Sequence, residues 1–243
     1  MSRTDGKAPN RVLSLRELAD PFFKGVLSRL DALLEEKKVF YLHPSKRWEY
    51  PWALERAGLQ AGQTVLDAGC GASIFPTYLA EQGCKTWAMD LDFPEEAVRA
   101  APELEYVRGD LTSLPFSQSG FDAVFCISVI EHLPVPGMKQ ALSELRRVLK
   151  PEGILLLTTD LYRDAAEEVW YEGSEERFKV DWNFFDQTLL NEHILKAPGF
   201  RVKGEMDLAV DWERVSPEMI EFHGYPYTSV GVALEKDEFE VRR

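Results

Sequence analysis

From residue 64 onward, short apolar runs alternate with stretches of helical periodicity, and no other feature limits the fold so strongly. Thr64–Ala68, Thr86–Asp90, Glu105–Val107, Ala123–Ser128 and Ile154–Thr159 read as strands. Before the fifth of these, Met138, Ala141, Leu142, Leu145, Val148 and Leu149 recur at helical spacing until Lys150-Pro151-Glu152-Gly153 stops them. Short apolar strands separated by helices imply a parallel sheet covered on both faces, an open α/β architecture. Beyond it we expect a helix around Asp186–Leu195, a strand near Phe200–Leu208 and a last strand near Ser229–Leu234.

The segment before the sheet reads differently. Residues 1–10 look like a flexible tail. Ser14-x-x-Glu17 has the spacing of a capping box, and Asp20-Pro21 reads as an N-cap followed by proline at the first helical position. Phe22, Phe23, Val26, Leu27, Leu30, Leu33 and Leu34 then describe an amphipathic helix to about Lys38, and residues 39–50 an aromatic-rich connector into a short helix, Trp52–Ala57. The expected division is a tail (1–10), an N-terminal helical extension or cap (11–58) and a main domain (59–243). At 243 residues, one core with an appendage is the natural size.

Charge narrows the partners. With 28 Lys+Arg against 41 Asp+Glu the formal charge is −13, and such a field repels a polyanion, so no nucleic-acid partner is expected. No run of about 18 apolar residues exists to span a membrane. Met1-Ser2-Arg3-Thr4-Asp5-Gly6-Lys7 lacks the apolar stretch of a signal peptide, so a cytoplasmic location is the expectation. Cys70, Cys84 and Cys126 lack metal-ligand spacing and read as reduced thiols; no metal is expected.

Chemistry concentrates at the strand ends. The first strand runs into Asp67-Ala68-Gly69-Cys70-Gly71-Ala72-Ser73 and then a helix through Ile74–Ala80. Glycines there let the backbone approach a ligand beside unpaired helix N–H groups. A nicotinamide fingerprint would place a third glycine where this chain has Ile74, which disfavours a dinucleotide. Asp90, ending the second strand, can accept bonds from vicinal ribose hydroxyls in the crevice outside the strand ends. Asp110, after the third, can accept from an exocyclic amine, with Leu91 and Leu111 offering apolar faces to a purine. Each acid alone could be a helix cap or a loop carboxylate; three at successive strand tips form a pattern.

These segments resemble the class I methyltransferases dependent on S-adenosylmethionine, of the group called methyltransferase type 11. The resemblance runs through Val65–Gly71, Met89–Asp92, Gly109–Phe116, Phe121–Leu133 and Leu145–Leu157, in the family's order and spacing. It implies a Rossmann-like seven-stranded sheet of order 3-2-1-4-5-7-6 with strand 7 antiparallel, and S-adenosyl-L-methionine as cofactor. It further implies that Asp67, Gly69, Cys70 and Gly71 surround the cofactor's methionine moiety, that Asp90 holds the ribose beside Leu91, that Asp110 and Leu111 read the adenine, and that the backbone at Ile127 lies beside the amino-acid end. The turn departs from the family in one place: its usual third glycine is Ser73.

No catalytic residue is assigned. Glu131-His132 begins a helix just after the fourth strand, where a histidine could act as a general base; the family carries this Glu-His-Leu pattern across different substrates, which suits packing better. Trp48, Tyr50 and Trp52 could close over the site or cover the sheet. Asp160–Val180, with Trp170-Tyr171 set among Glu167, Glu168, Glu172, Glu175 and Glu176, and Asp211–Thr228, with Trp212, His223, Tyr225, Tyr227 and a short helix from Ser216-Pro217-Glu218, are expected to build the acceptor pocket. The expected reaction is in-line methyl transfer to a small-molecule acceptor, a saccharide or other metabolite. The competing readings are a non-catalytic S-adenosylmethionine-binding regulatory or scaffold protein and a nicotinamide oxidoreductase. Oligomeric state is not written in the sequence.

Overall fold

The computed structural model describes residues 8–38, 40–166, 170–172, 177–179, 182–210, 212, 221–222 and 225–237. In chain order they form β1 (Asn10–Val12), α1 (Pro21–Lys37), α2 (Lys46–Ala57), β2 (Thr64–Ala68), α3 (Phe75–Glu81), β3 (Lys85–Asp90), α4 (Glu95–Ala100), β4 (Glu105–Arg108), β5 (Phe121–Ile127), α5 (Val135–Val148) and β6 (Leu149–Tyr162). A hairpin of β7 (Trp170–Glu172) and β8 (Arg177–Lys179) follows, then α6 (Gln187–Leu190), β9 (Phe200–Val202), β10 (Met206–Asp207), β11 (Glu221–Phe222) and β12 (Tyr225–Lys236).

Ten of these strands make one sheet in the order β10-β1-β12-β6-β5-β2-β3-β4, with β9 and β11 also paired to β12. Within it, β4-β3-β2-β5-β6-β12-β9 is the expected order 3-2-1-4-5-7-6, and β12 runs antiparallel to both β6 and β9. The count differs from seven because β12 is twelve residues long. Its outer edge seats β9 at Leu234–Lys236 and still has room for β1 at Val230 and Gly231, which in turn carries β10.

The central strands show why the sheet is covered on both faces. Successive side chains point to opposite sides, so Val124 and Cys126 of β5 join α5 in one core while Ala123, Phe125 and Ile127 join α1, α2 and α3 in the other. Leu155 and Leu157 against Ile154 and Leu156 repeat the division in β6. At Gly231 of β12 a Cβ would collide with the Trp52 ring, so glycine lets α2 lie directly on the sheet.

Several sequence expectations change. Asn10 is a buried strand residue rather than tail: its side chain donates to Lys203 O and Glu205 O and accepts from Ala233 N. Asp20 caps α1 as expected, accepting from Phe22 N at 2.8 Å. Ser14 and Glu17 make no capping box; Glu17 is buried and accepts from Arg11 Nε at 3.0 Å and Trp48 Nε1 at 2.7 Å, above a short 3-10 turn, Leu15–Ala19. Helix α2 starts six residues earlier than expected, despite Pro51. An internal proline costs about 3 kcal/mol, and here Trp48 and Trp52, buried and stacked at 5.8 Å, pack the helix down. Glu131 and His132 lie in a 3-10 turn, Ile130–His132, and α5 begins only after Pro134.

Candidate active site

Because β2, β3, β4 and β5 are parallel, their C-terminal ends lie side by side: Ala68 is in register with Met89, and Asp90 with Arg108. The turn after β2 is held from below, where the N–H groups of Gly69 and Cys70 both donate to Met89 O, at 2.8 and 3.0 Å. Gly69 has φ +90°, and a Cβ there would meet Val129 at 2.5 Å. Gly71 has φ +52° with open space where a Cβ would stand, and its N–H donates to Asp90 Oδ2 at 2.7 Å. Asp90 Oδ1 accepts from Leu91 N at 2.8 Å. A carboxylate has about four acceptor positions, so Asp90 fixes the turn and keeps capacity for a ligand.

Asp67 lies deeper, 3% exposed, and none of the described residues donates a hydrogen bond to it. Burial, reinforced by Asp90 and opposed by Lys46, pushes its carboxyl up to about 8. A buried acid without a partner is costly; the position suits a ligand that brings a positive charge or a donor. The neighbouring Cys70 thiol is raised by burial and then by Asp67 and Asp90, which removes thiolate character and makes it packing rather than a nucleophile.

The third tip divides the expected pair. Asp110 is exposed and its Oδ1 accepts from Thr112 N and Thr112 Oγ1, both at 2.8 Å, leaving its second oxygen for an incoming donor. Leu111 is packed in the core with Met89 and Leu114, whereas Leu91 is 69% exposed. Of the two apolar side chains expected to face a purine, the structure therefore presents only Leu91. Ile127 is buried and its carbonyl accepts from Lys46 Nζ at 3.4 Å.

Helix α2 supplies residues that the sequence reading missed or placed only as a cover. Lys46, Glu49 and Tyr50 stand at i, i+3 and i+4, one helix face. Glu49 is fully buried: its Oε2 accepts from Lys46 Nζ (2.7 Å), Ser128 Oγ (3.0 Å) and Thr158 Oγ1 (3.2 Å), its Oε1 from Ser229 Oγ (2.9 Å). Burial works to raise this carboxyl, but Lys46 and the hydroxyl donors more than offset it and hold Glu49 below the ordinary range. Tyr50 stacks on Phe75 at 4.2 Å, and its hydroxyl lies 2.7 Å from Ser73 Oγ. Trp48 and Trp52 are core, not lid. The Lys46-x-x-Glu49-Tyr50 spacing was the available signal, hidden in a stretch read as connector.

On the far side, Glu131 is buried and accepts from Thr159 Oγ1 at 3.3 Å, while Asn183 Nδ2 donates to Glu131 O and Leu133 O. Burial and the nearby Asp160 raise the Glu131 carboxyl well above its usual range, and burial together with Glu49 raises Asp160. Tyr162, Phe184, Trp182 and Tyr227 pack together around the end of β6. The His132 ring meets Trp182 edge-on at 5.7 Å, and partial burial and the Lys46 charge keep its imidazole below its ordinary value. Glu167, Glu168, Glu175, Glu176, Ser216, Pro217, Glu218 and His223, and the side chains of Trp170, Tyr171, Glu172 and Tyr225, lie outside the described residues. No helix among the described residues is long and apolar enough to cross a membrane.

Known proteins bear on this arrangement. Residues 66–157 match the family described as a methyltransferase domain. ECU09_1500 of Encephalitozoon cuniculi, named as a methyltransferase, is 30% identical over 196 residues, 76% of this chain and 86% of its own length. Sterol 24-C-methyltransferase ERG6B of Gibberella zeae is 30% identical over 180 residues, 66% of this chain and 45% of the relative. Several other curated relatives are likewise matched over only about half their length, 50–56%. Among solved structures, the 1,6-didemethyltoxoflavin-N1-methyltransferase of Burkholderia thailandensis, with bound 1,6-didemethyltoxoflavin and S-adenosylhomocysteine, has a TM-score of 0.57 at 19% identity. That likeness covers 93% of this chain and 92% of the other, and it is a likeness of fold.

Proposed function

Because the chain belongs to the S-adenosylmethionine-dependent class I methyltransferases, we propose that it transfers a methyl group from S-adenosylmethionine to a small-molecule acceptor. The observation that carries this reading is Asp67, a buried carboxyl to which no described residue donates a hydrogen bond, beside a glycine turn whose Gly71 leaves open space. The donor's sulfonium supplies an electrophilic methyl and its amino-acid end an ammonium, the kind of charge such a site accepts.

Each residue then has a defined task. Asp67 and the Gly69–Gly71 backbone, with Cys70 packed beneath, take the methionine moiety, and the Ile127 carbonyl borders it. Asp90 accepts from the ribose hydroxyls with the lone pairs left by Gly71 N and Leu91 N. The free oxygen of Asp110 accepts from the adenine amine, and Leu91 covers the ring. The side chains bind and orient; alignment of this kind is the enzyme's main contribution when the electrophile is already strong.

The acceptor belongs to the side formed by Tyr162, Trp182, Phe184 and Tyr227, where aromatic faces suit a flat ring or a sugar. A relative compared above is named for a sterol, and the structure of similar fold for a toxoflavin precursor, which supports a small molecule. A charge of −13 disfavours a nucleic acid. The test is calorimetric titration of the chain with S-adenosylmethionine, S-adenosylhomocysteine and NADH. Micromolar binding of the two adenosyl compounds alone is expected; saturation by NADH alone would refute the reading. Binding without S-adenosylhomocysteine production across a metabolite panel would favour a non-transferring regulator.

A further inference from the structure

The family resemblance leaves Ser73 as a departure, a hydroxyl where the turn usually has glycine. In the structure Ser73 Oγ accepts from Phe75 N at 3.0 Å and lies 2.7 Å from the Tyr50 hydroxyl. A serine hydroxyl has one donor and two acceptor positions, so both contacts are compatible. Tyr50 is itself locked: it is buried, stacked on Phe75 with the rings 6° from parallel, and Phe75 packs edge-on against Phe125 of the central strand β5. Burial, and after it the neighbouring Asp67, hold its hydroxyl well above the ordinary range, against the Ser73 bond.

The cofactor turn is therefore gripped from two sides. Asp90 holds Gly71 through its N–H, and Tyr50 of α2 holds Ser73 through its side chain. The first grip lies within the matched family segment, 66–157; the second reaches out of it to a helix that precedes that segment.

We propose that Tyr50 and Ser73 act as a pair of positioning residues that set the donor turn, Gly69–Phe75, in its binding conformation, so that α2 controls affinity for S-adenosylmethionine. The proposal rests on the donor assignment made above. It explains why a serine is tolerated where glycine is usual: conformational freedom lost at that position is replaced by an external hydrogen bond. Tyr50→Phe removes the hydroxyl and keeps the ring stack; Ser73→Ala removes the other end of the same bond.

The experiment is titration of the full chain with S-adenosylhomocysteine, followed by hydrogen exchange of the ligand-free protein. Each single variant is expected to raise Kd about three- to twelve-fold, the range that one neutral hydrogen bond spans. The double variant should match Ser73→Ala within about twofold, because that variant already removes the bond that Tyr50→Phe removes, together with the acceptor for Phe75 N. Amides of residues 69–75 should exchange faster in Tyr50→Phe while those of β5 and β6 do not change, a selectivity that a general loss of packing would not give. Ser73→Gly, which installs the family's usual residue, should weaken binding as Ser73→Ala does. Singles within twofold of the wild type, a double equal to the product of the singles, or tighter binding by Ser73→Gly would each overturn the pair. If Tyr50→Phe does not fold, the Ser73 variants decide: Ser73→Ala, which leaves the stack intact, must weaken binding beyond about twofold, and Ser73→Thr, which keeps a hydroxyl for Tyr50 and Phe75 N, must restore it. Failure of the wild-type chain to bind S-adenosylhomocysteine refutes the donor assignment itself, a different result from unchanged affinity in the variants.

Discussion

Asp67 and Glu49 are buried to nearly the same depth at the same end of the same sheet, yet their environments push them in opposite directions. Glu49, at the β5–β6–β12 side, accepts four hydrogen bonds and sits below the ordinary carboxylate range. Asp67, at the β2 tip, accepts none from the described residues and is pushed up to about 8. Burial depth is common to both, so the difference lies in the donors supplied. Where the fold completes an acid's hydrogen bonds, the acid holds elements together; where it withholds them, the acid is left for something that arrives from outside.

That contrast can be broken at its stronger end first. Glu49→Ala leaves the Lys46 ammonium, Ser128, Thr158 and Ser229 without their common acceptor, and should cost about 3–5 kcal/mol of unfolding free energy in urea denaturation. Adding Lys46→Met should recover part of that loss; a drop below about 1 kcal/mol for Glu49→Ala would mean the network is ornamental.

The pH dependence separates the two acids by sign. The Asp67 proton is bound more tightly in the folded chain, so its contribution to stability is full below about pH 4 and is lost as pH rises through about 8. That loss reaches at most about 1.4 kcal/mol per pH unit. Glu49, held low, contributes above the unfolded carboxylate range and loses that contribution in acid. Denaturation midpoints of Asp67→Asn should therefore decline less than wild type between pH 5 and 7, with the acid limb unchanged.

Asp90 sharpens the comparison because it grips Gly71 and, in the proposed assignment, also accepts from the donor's ribose. Asp90→Ala should weaken S-adenosylhomocysteine binding by about 1.5–3 kcal/mol, read by titration; an unchanged Kd would show that the strand-tip assignment is wrong. His132→Gln is the smallest expected effect. Losing its edge contact with Trp182 should cost about 0.5–1.5 kcal/mol, and turnover, once an acceptor is found, should stay within about threefold because no proton transfer is assigned to it.

The part of this arrangement legible in the sequence is the part built from local pattern. β2 matches its expected bounds, β3 and β4 each gain a residue at one end, and Asp67, Asp90 and Asp110 stand at strand tips, because buried parallel strands announce themselves as apolar runs and their tips follow from where the runs stop. Lys46, Glu49 and Tyr50 were not read as a working face because their partners, Ser128, Thr158, Ser229 and Ser73, lie 23 to 180 residues away. No window of local periodicity contains such pairs. Glu17 failed for the opposite reason: a Ser-x-x-Glu spacing is local and common, and the demands of nearby Arg11 and of distant Trp48 overrode it. Leu111 satisfied the family pattern in sequence, but its side chain turned inward to fill the core.

The bond between Ser229 of β12 and Glu49 of α2 joins positions 180 residues apart, and β1 is completed only by pairing with Gly231 and Val230. During synthesis the hydrogen bonds around Glu49 of that helix therefore stay incomplete until the ribosome has released the chain through that late strand. Contacts of such long sequence separation form slowly. The nascent protein would pass most of its time on the ribosome with the glycine turn already made and held by Asp90, but with the far side of α2 not yet anchored to the sheet, and would complete that end of the fold as one of the last events of folding.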